Sequence, residues 1–171
     1  MHNAFKYIRP FLLSLCIGLV FLAAFHIITA IGGDKDPQPA PEITGVCYDE
    51  TSLYSLSENF GSHGTVLVFL DPMIEKDLSY LSEMMKMDPQ GEQIIAVSIS
   101  KEPFAAQKSE ITRLAVESVR FLFDTDGEMA KTYGISASPV TYFIDKNGMI
   151  LDAHLGHINT ETLEKGFKKI A

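Results

Sequence analysis

Apolar positions in the carboxy-terminal part of the chain follow two periods. A continuous apolar run at 65–70 is rich in β-branched residues, which is typical of a strand buried on both faces, and the run at 93–99 predicts a second core strand. Apolar residues at helical spacing follow each run and predict helices over 71–87 and 103–118. The pattern therefore predicts parallel strands joined by right-handed crossovers.

Shorter elements surround these two units. Asn147-Gly148 lies between two apolar runs and is a strong signal for an antiparallel hairpin, so the predicted sheet is mixed. The overall prediction is an α/β fold with a mixed sheet flanked by helices. The remaining candidates are strands at 43–47, 52–54, 119–123, 140–145 and 149–153, a helical turn at 56–60, and helices at 126–133 and 159–170.

The turn after the first buried strand carries several charged residues. Asp71 suits a helix N-cap and Pro72 suits the first helical position. Glu75, Lys76 and Asp77 follow, and the acidic members complement the partial positive charge of a helix start. No nucleophile, metal motif or partner base is evident nearby, so we interpret these charges as a solvated helix start.

A long apolar stretch near the amino terminus predicts a membrane anchor at 11–33. A helix needs about 20 apolar residues to cross a bilayer core. Lys6 and Arg9 precede the stretch, so the positive-inside tendency places 1–10 in the cytoplasm and the domain outside the cell membrane. A cleaved signal peptide and a buried soluble helix are the two alternatives.

The segment 34–41 is rich in proline and predicts an extended linker between the anchor and a domain at 42–171. The formal net charge of −8 gives no support to nucleic-acid binding, because an acidic chain repels phosphate backbones. No cofactor motif is evident, so we expect no cofactor.

The chain has 2 cysteines, Cys16 in the apolar stretch and Cys47 in the predicted domain. One cysteine cannot build a disulfide framework within that domain. Cys47 is interpreted as an inert strand residue. An intermolecular disulfide and a catalytic thiol are the alternatives.

Two adjacent motifs in the second half of the domain resemble a known group. The run D-T-D-G-E-M-A-K-T-Y-G-I at 124–135 resembles "D-x-D-G-x-x-A-x-x-Y-G-V". The run P-V-T-Y-F-I-D-K-N-G-M-I at 139–150 resembles "P-x-T-F-L-I-D-x-x-G-x-I". With the element order, they resemble the thioredoxin-like superfamily, in its TlpA/ResA and AhpC/TSA (redoxin) group.

The resemblance implies a groove at the predicted turn. Pro139 matches the proline that follows a cis peptide bond in that group, and the loop beside it pairs with an extended substrate. Ser138 would then line the groove with Pro139, opposite Asp71, Pro72 and Met73. We therefore expect a protein or peptide partner at this groove.

The cysteine pair of the group is missing from this turn. In one register the two cysteines fall on Ile74 and Asp77. In the other they fall on Glu75 and Leu78. Dithiol exchange needs a thiolate to attack and a second thiol to resolve, so neither register can support it.

The resulting hypothesis is a membrane-anchored thioredoxin-like binding or accessory module without dithiol chemistry. One alternative is a thiol-disulfide oxidoreductase that acts through Cys47 and a partner thiol. The other is a copper-handling protein, because thioethers and imidazoles bind copper. Its candidate ligands are Met73, Met84, Met85, Met87, His154 and His157, for which core methionines and surface histidines are the favoured interpretation.

Overall fold

The structure is a computed structural model that describes residues 37–49, 52–61, 63–87, 93–116 and 119–171. The predicted cytoplasmic segment 1–10, the predicted anchor 11–33 and Cys16 lie outside these residues. None of the helices within the described ranges is both long and apolar enough to span a bilayer.

Within the ranges that the structure describes, eight strands and four α-helices make up the fold. The strands are β1 (Gln38–Pro39), β2 (Thr44–Val46), β3 (Leu53–Ser55), β4 (Thr65–Leu70), β5 (Gln93–Ser98), β6 (Arg120–Phe123), β7 (Val140–Ile144) and β8 (Met149–Leu155). The α-helices are α1 (Glu75–Met87), α2 (Phe104–Arg113), α3 (Glu128–Thr132) and α4 (Thr160–Ile170), and a 3-10 helix spans Leu56–Asn59.

A six-stranded mixed sheet forms the centre, in the order β1-β8-β7-β4-β5-β6. β4, β5 and β6 are parallel, whereas β7 is antiparallel to β4, and β8 is antiparallel to both β7 and β1. β2 and β3 form a separate two-stranded hairpin. The predicted α/β fold with a mixed sheet is confirmed.

The central strand β4 is buried along its whole length, as its unbroken apolar pattern predicts. Because side chains alternate across a strand, Val66, Val68 and Leu70 join a cluster with α1, α2 and α4. On the opposite face, Phe69 packs against the rings of Tyr133 and Tyr142 at centroid distances of 5.0 and 6.2 Å.

Several element boundaries differ from the sequence prediction. Helix α1 begins at Glu75, because Asp71 closes a turn in which it accepts the backbone N–H of Ile74 at 2.9 Å. Helix α2 ends at Arg113, shortly before Ala115 adopts a positive φ of 54°. Gln38–Pro39, expected in the linker, pairs with β8 at the sheet edge.

Candidate functional site

One edge of the sheet brings together the ends of three neighbouring strands. β7 is antiparallel to β4, with Phe69 opposite Val140, so the start of β7 lies beside the end of β4. The end of β8 joins them, because the N–H of Gly156 donates to the carbonyl of Pro139 at 2.7 Å. The Ser138–Pro139 peptide bond at this edge is cis. These three ends frame the candidate site.

The turn between β4 and α1 forms one side of the site. The carboxylate of Asp71 accepts the N–H of Met73 at 2.9 Å, which fixes the turn. Pro72 is buried, whereas the side chains of Met73 and Ile74 are 41% and 44% exposed. Leu155, at the end of β8, is 58% exposed. The site therefore presents apolar side chains to solvent.

Asp77 is the central polar residue of the site, and it is only 1% exposed. Its Oδ2 accepts the backbone N–H of Asp71 at 3.1 Å. Its Oδ1 lies 3.1 Å from Nε2 of His157, whose side chain is 42% exposed. A buried carboxylate is thus joined to an imidazole that reaches solvent.

Tyr80 supports the same pair from one turn further along α1. Its ring lies edge-on to the imidazole of His157, with centroids 5.3 Å apart. Its hydroxyl lies 3.1 Å from Oγ1 of Thr141, and the backbone of Ile158 also bonds to it. Burial raises the pKa of Tyr80, against the opposing effect of these hydrogen bonds, so the phenol stays neutral at physiological pH.

The interpretation of Asp77 as a solvated charge is wrong. Asp77 lies on the same helical face as the buried residues Tyr80 and Leu81, because positions three and four apart share a face. That face packs into the core, and the carboxylate is carried inward with it. An acidic residue on an apolar stripe was the available signal. Nothing in the sequence pointed to His157 as its partner.

The two positions of each cysteine register differ sharply in exposure. Ile74 is exposed and Asp77 is buried. In the other register Glu75 is exposed, with its carboxylate 3.8 Å from the guanidinium of Arg113, and Leu78 is fully buried in the core. Both registers place an exposed residue before a buried one at the start of α1.

Cys47 forms an antiparallel bridge with Leu122 of the edge strand β6. It is a half-buried free thiol. Burial and the charge of Asp49 raise its pKa, while Arg120 opposes them. The thiolate fraction is therefore small at neutral pH, which makes Cys47 a poor nucleophile.

The residues proposed for copper occupy different environments. Met84 is fully buried in the core, and Met85 and Met87 pack against the same cluster. Nε2 of His154 lies 3.3 Å from Asp152, whereas His157 contacts Asp77. Within the described residues, no group of three or more His, Cys, Asp or Glu side chains is arranged to hold a metal ion.

The chain matches a known protein family. The Redoxin family matches residues 35–170. Thiol-disulfide oxidoreductase ResA of Bacillus thuringiensis subsp. konkukian (strain 97-27) is 31% identical over 97 residues, which cover 56% of this chain and 55% of that protein. ResA of Bacillus cereus (strain ATCC 10987 / NRS 248) matches to the same extent. The chain spans about half the length of these curated relatives.

Solved structures show the fold. The pneumococcal exposed lipoprotein thioredoxin Etrx1 of Streptococcus pneumoniae strain TIGR4 superposes with a TM-score of 0.63 at 21% identity, over 75% of this chain and 99% of that one. A thiol-disulfide oxidoreductase of Bacteroides fragilis NCTC 9343 gives 0.65 at 19% identity, over 78% and 100%. The fold is thioredoxin-like, and the chain belongs to the Redoxin family, with similarity to its TlpA/ResA group.

Proposed function

We propose that this protein is a membrane-anchored, extracytoplasmic binding module of the Redoxin family that does not itself catalyse dithiol exchange. Its ligand is an extended segment of a partner protein. The segment binds along the edge formed by the Asp71–Ile74 turn and the Ser138–Pro139 loop.

The observation that carries the proposal is the buried carboxylate of Asp77, in the turn where the resemblance would place a dithiol. Asp77 is only 1% exposed. One of its carboxylate oxygens accepts the backbone N–H of Asp71, and the other lies 3.1 Å from Nε2 of His157. A carboxylate cannot attack a disulfide in place of a thiolate, and Ile74 supplies no second sulfur. The surroundings of the turn persist without the atoms that would perform dithiol exchange.

Exposed apolar side chains support a binding role. Met73, Ile74 and Leu155 belong to the few large apolar side chains that are exposed within the described residues. Apolar groups that cluster in this way mark interaction sites more often than isolated ones do. Extended peptides commonly bind through main-chain pairing, with side-chain pockets that provide specificity.

The proposed location rests on the sequence. The apolar stretch 11–33 has the length of a membrane-spanning helix, and the basic residues Lys6 and Arg9 precede it. A protease-protection assay on intact cells tests the location. We expect the domain to be cleaved by external protease after the outer barriers are opened, while the inner membrane stays intact.

Two assays test the function. In an insulin-reduction assay with dithiothreitol, we expect the protein to add nothing to the uncatalysed rate. In a binding assay on arrays of extended peptides, Met73→Ser and Ile74→Ser should weaken binding. Leu53→Ser is the matched control, because Leu53 is 75% exposed but lies on β3. Reductase turnover, or equal loss of binding in all three variants, would refute the proposal.

A second candidate is thiol-disulfide oxidoreduction through Cys47 and a partner thiol. The name of the Bacillus relatives favours it. A mixed disulfide that forms with the wild-type protein and is lost in Cys47→Ser would support this candidate. Failure to trap one across a range of redox buffers would remove it.

A further inference from the structure

We propose that Met73 is a modification site, at which a two-electron oxidant such as hypochlorous acid converts the thioether to a sulfoxide and thereby weakens binding at this edge. The oxidation itself is independent of the proposed function, whereas the loss of binding rests on it. Three observations carry the proposal: the exposure of Met73, the fixed backbone of its turn, and the apolar side chains that share its edge.

The first observation is that Met73 differs in exposure from the other methionines. Its side chain is 41% exposed. The other methionines within the described residues are buried or partly buried: Met84, Met85, Met87, Met129 and Met149. Oxidation requires contact between the sulfur and the oxidant, so susceptibility follows exposure. Among these methionines, Met73 is therefore the one that a dissolved oxidant reaches most readily.

The second observation is that the backbone of the turn is fixed. The carboxylate of Asp71 accepts the N–H of Met73, and the carbonyl of Asp71 accepts the N–H of Ile74, both at 2.9 Å. Pro72, between them, is buried. The turn therefore keeps Met73 at the surface of the domain. An oxygen added to its sulfur changes the chemistry of that surface and leaves the packing of the core intact.

The third observation is the apolar character of the edge. Ile74 and Leu155 are 44% and 58% exposed there. A partner segment that covers this edge removes water from Met73 as well. A sulfoxide is polar and accepts hydrogen bonds from water, so its burial against an apolar segment costs free energy that burial of a thioether does not. We expect oxidation to weaken binding by about 10-fold.

The reaction conserves atoms and electrons. A lone pair of the Met73 sulfur attacks the chlorine of hypochlorous acid, and the oxygen–chlorine bond breaks to release hydroxide. Water then attacks the sulfur, chloride leaves, and two protons pass to solvent, where one of them neutralises the hydroxide. The sulfur loses two electrons and the chlorine gains them. The products are methionine sulfoxide, chloride and one proton, and methionine sulfoxide reductases reverse the oxidation.

The first experiment locates the oxidation. It uses the detergent-solubilised full chain with Cys16 and Cys47 replaced by Ser, so that thiols do not consume the oxidant. Hypochlorous acid is added below stoichiometry at pH 7, the reaction is quenched with free methionine, and peptides are analysed by mass spectrometry. We expect sulfoxide to form at Met73 at least about 5-fold faster than at any other methionine of 37–171. In urea-unfolded protein the rates should converge.

The second experiment measures the consequence for binding. The probe is a blocked peptide of alternating leucine and serine, and its binding is followed by fluorescence anisotropy before and after oxidation. We expect binding to weaken by about 10-fold and to recover after treatment with reductases for both sulfoxide epimers. The urea midpoint of unfolding should stay the same, because the modified sulfur lies outside the core.

Two variants assign the effect to one residue. In Met73→Leu, the affinities measured before and after treatment should agree within about two-fold, whatever the starting affinity of this variant, because leucine has no sulfur to oxidise. Met149→Leu is the matched control, since Met149 is partly buried at the start of β8. This variant should still lose binding on oxidation.

Two results would overturn the inference. One is a folded protein in which a buried methionine oxidises as fast as Met73. The other is a peptide that binds equally well before and after Met73 is oxidised. A peptide that fails to bind the untreated protein would instead contradict the proposed function, and the mass spectrum would still decide whether Met73 is the oxidation site.

Discussion

The carboxylate of Asp77 and the imidazole of His157 are joined by a 3.1 Å contact that links the start of α1 to the segment after β8. One partner is buried and the other reaches solvent. The contact therefore connects the core of the domain to the edge at which we propose that a partner binds.

The Asp77–His157 pair should contribute measurably to stability. In a double-mutant cycle with Asp77→Asn and His157→Ala, we expect a coupling free energy of about 1–2 kcal/mol, because a buried charge loses its partner. Urea unfolding measures it. The matched cycle of Asp152→Asn with His154→Ala should give less than about 0.5 kcal/mol, since the carboxylate of Asp152 is 22% exposed whereas that of Asp77 is 1% exposed. Equal coupling in both cycles would contradict the assignment.

Gly166 should tolerate no side chain, although it lies within α4. A Cβ at this position would overlap the ring of Phe143. Alanine normally stabilises a helix by about 1 kcal/mol relative to glycine. Here we expect Gly166→Ala to lower the free energy of unfolding by about 1–3 kcal/mol instead.

The companion variant for Gly166 is Phe143→Leu, which removes the ring that the new methyl group would meet. Chemical denaturation of the double variant should show that the effects are less than additive. Strict additivity would mean that the methyl group does not meet Phe143.

Cys47 should react slowly with alkylating reagents in the folded protein. Burial and Asp49 raise the pKa of the thiol, so the thiolate that reacts is scarce at pH 7. In a Cys16→Ser background, the rate of iodoacetamide labelling should rise with pH to a midpoint above the value of about 8.5 for free cysteine. Asp49→Asn should lower that midpoint. A midpoint below that of free cysteine would instead favour Cys47 as a nucleophile.

Alkaline pH should destabilise the domain through its buried tyrosines. Burial raises the pKa of Tyr142 to about 12 and also raises that of Tyr133. Unfolded tyrosines ionise near pH 10, so above that pH the unfolded chain releases protons that the folded chain retains. The contribution is complete below about pH 10 and is lost as the pH rises through the folded value.

The measurement is the free energy of unfolding in urea at pH 8, 10 and 11. Tyr142→Phe should flatten the decline above about pH 10, while it lowers stability at pH 8 because it loses a hydrogen bond to the carbonyl of Tyr133. An unchanged slope in this variant would show that Tyr142 ionises freely in the folded state.

Most of the fold follows from local sequence signals. The unbroken apolar run of β4 predicts a central strand, and the structure pairs it with β5 and β7. Gly148 adopts a positive φ of 79° in the predicted hairpin, and Gly134 has 65° after α3. These two positions were predictable because glycine is the residue type that most readily adopts a positive φ.

The site was less predictable because it depends on contacts between distant segments. Aspartate is a residue type that favours the N-cap position, yet the carboxylate of Asp71 accepts the N–H of Met73 in a turn that precedes α1. Asp77 and His157 are far apart in sequence and meet only when β8 returns beside β7. Local patterns carry no information about such a pairing. Of these features, only the burial of Asp77 could have been inferred from the sequence, because Asp77 lies on the apolar face of α1.

Restoration of the missing sulfur tests most directly whether this edge retains its structure and lacks only dithiol chemistry. The measurement is insulin reduction by the wild-type protein and by a variant that carries Ile74→Cys and Asp77→Cys, with Glu75→Cys and Leu78→Cys as the other register. We expect no turnover from the wild-type protein and clear turnover from one cysteine pair. Turnover by the wild-type protein, or folded variants that remain inactive in both registers, would contradict the proposal.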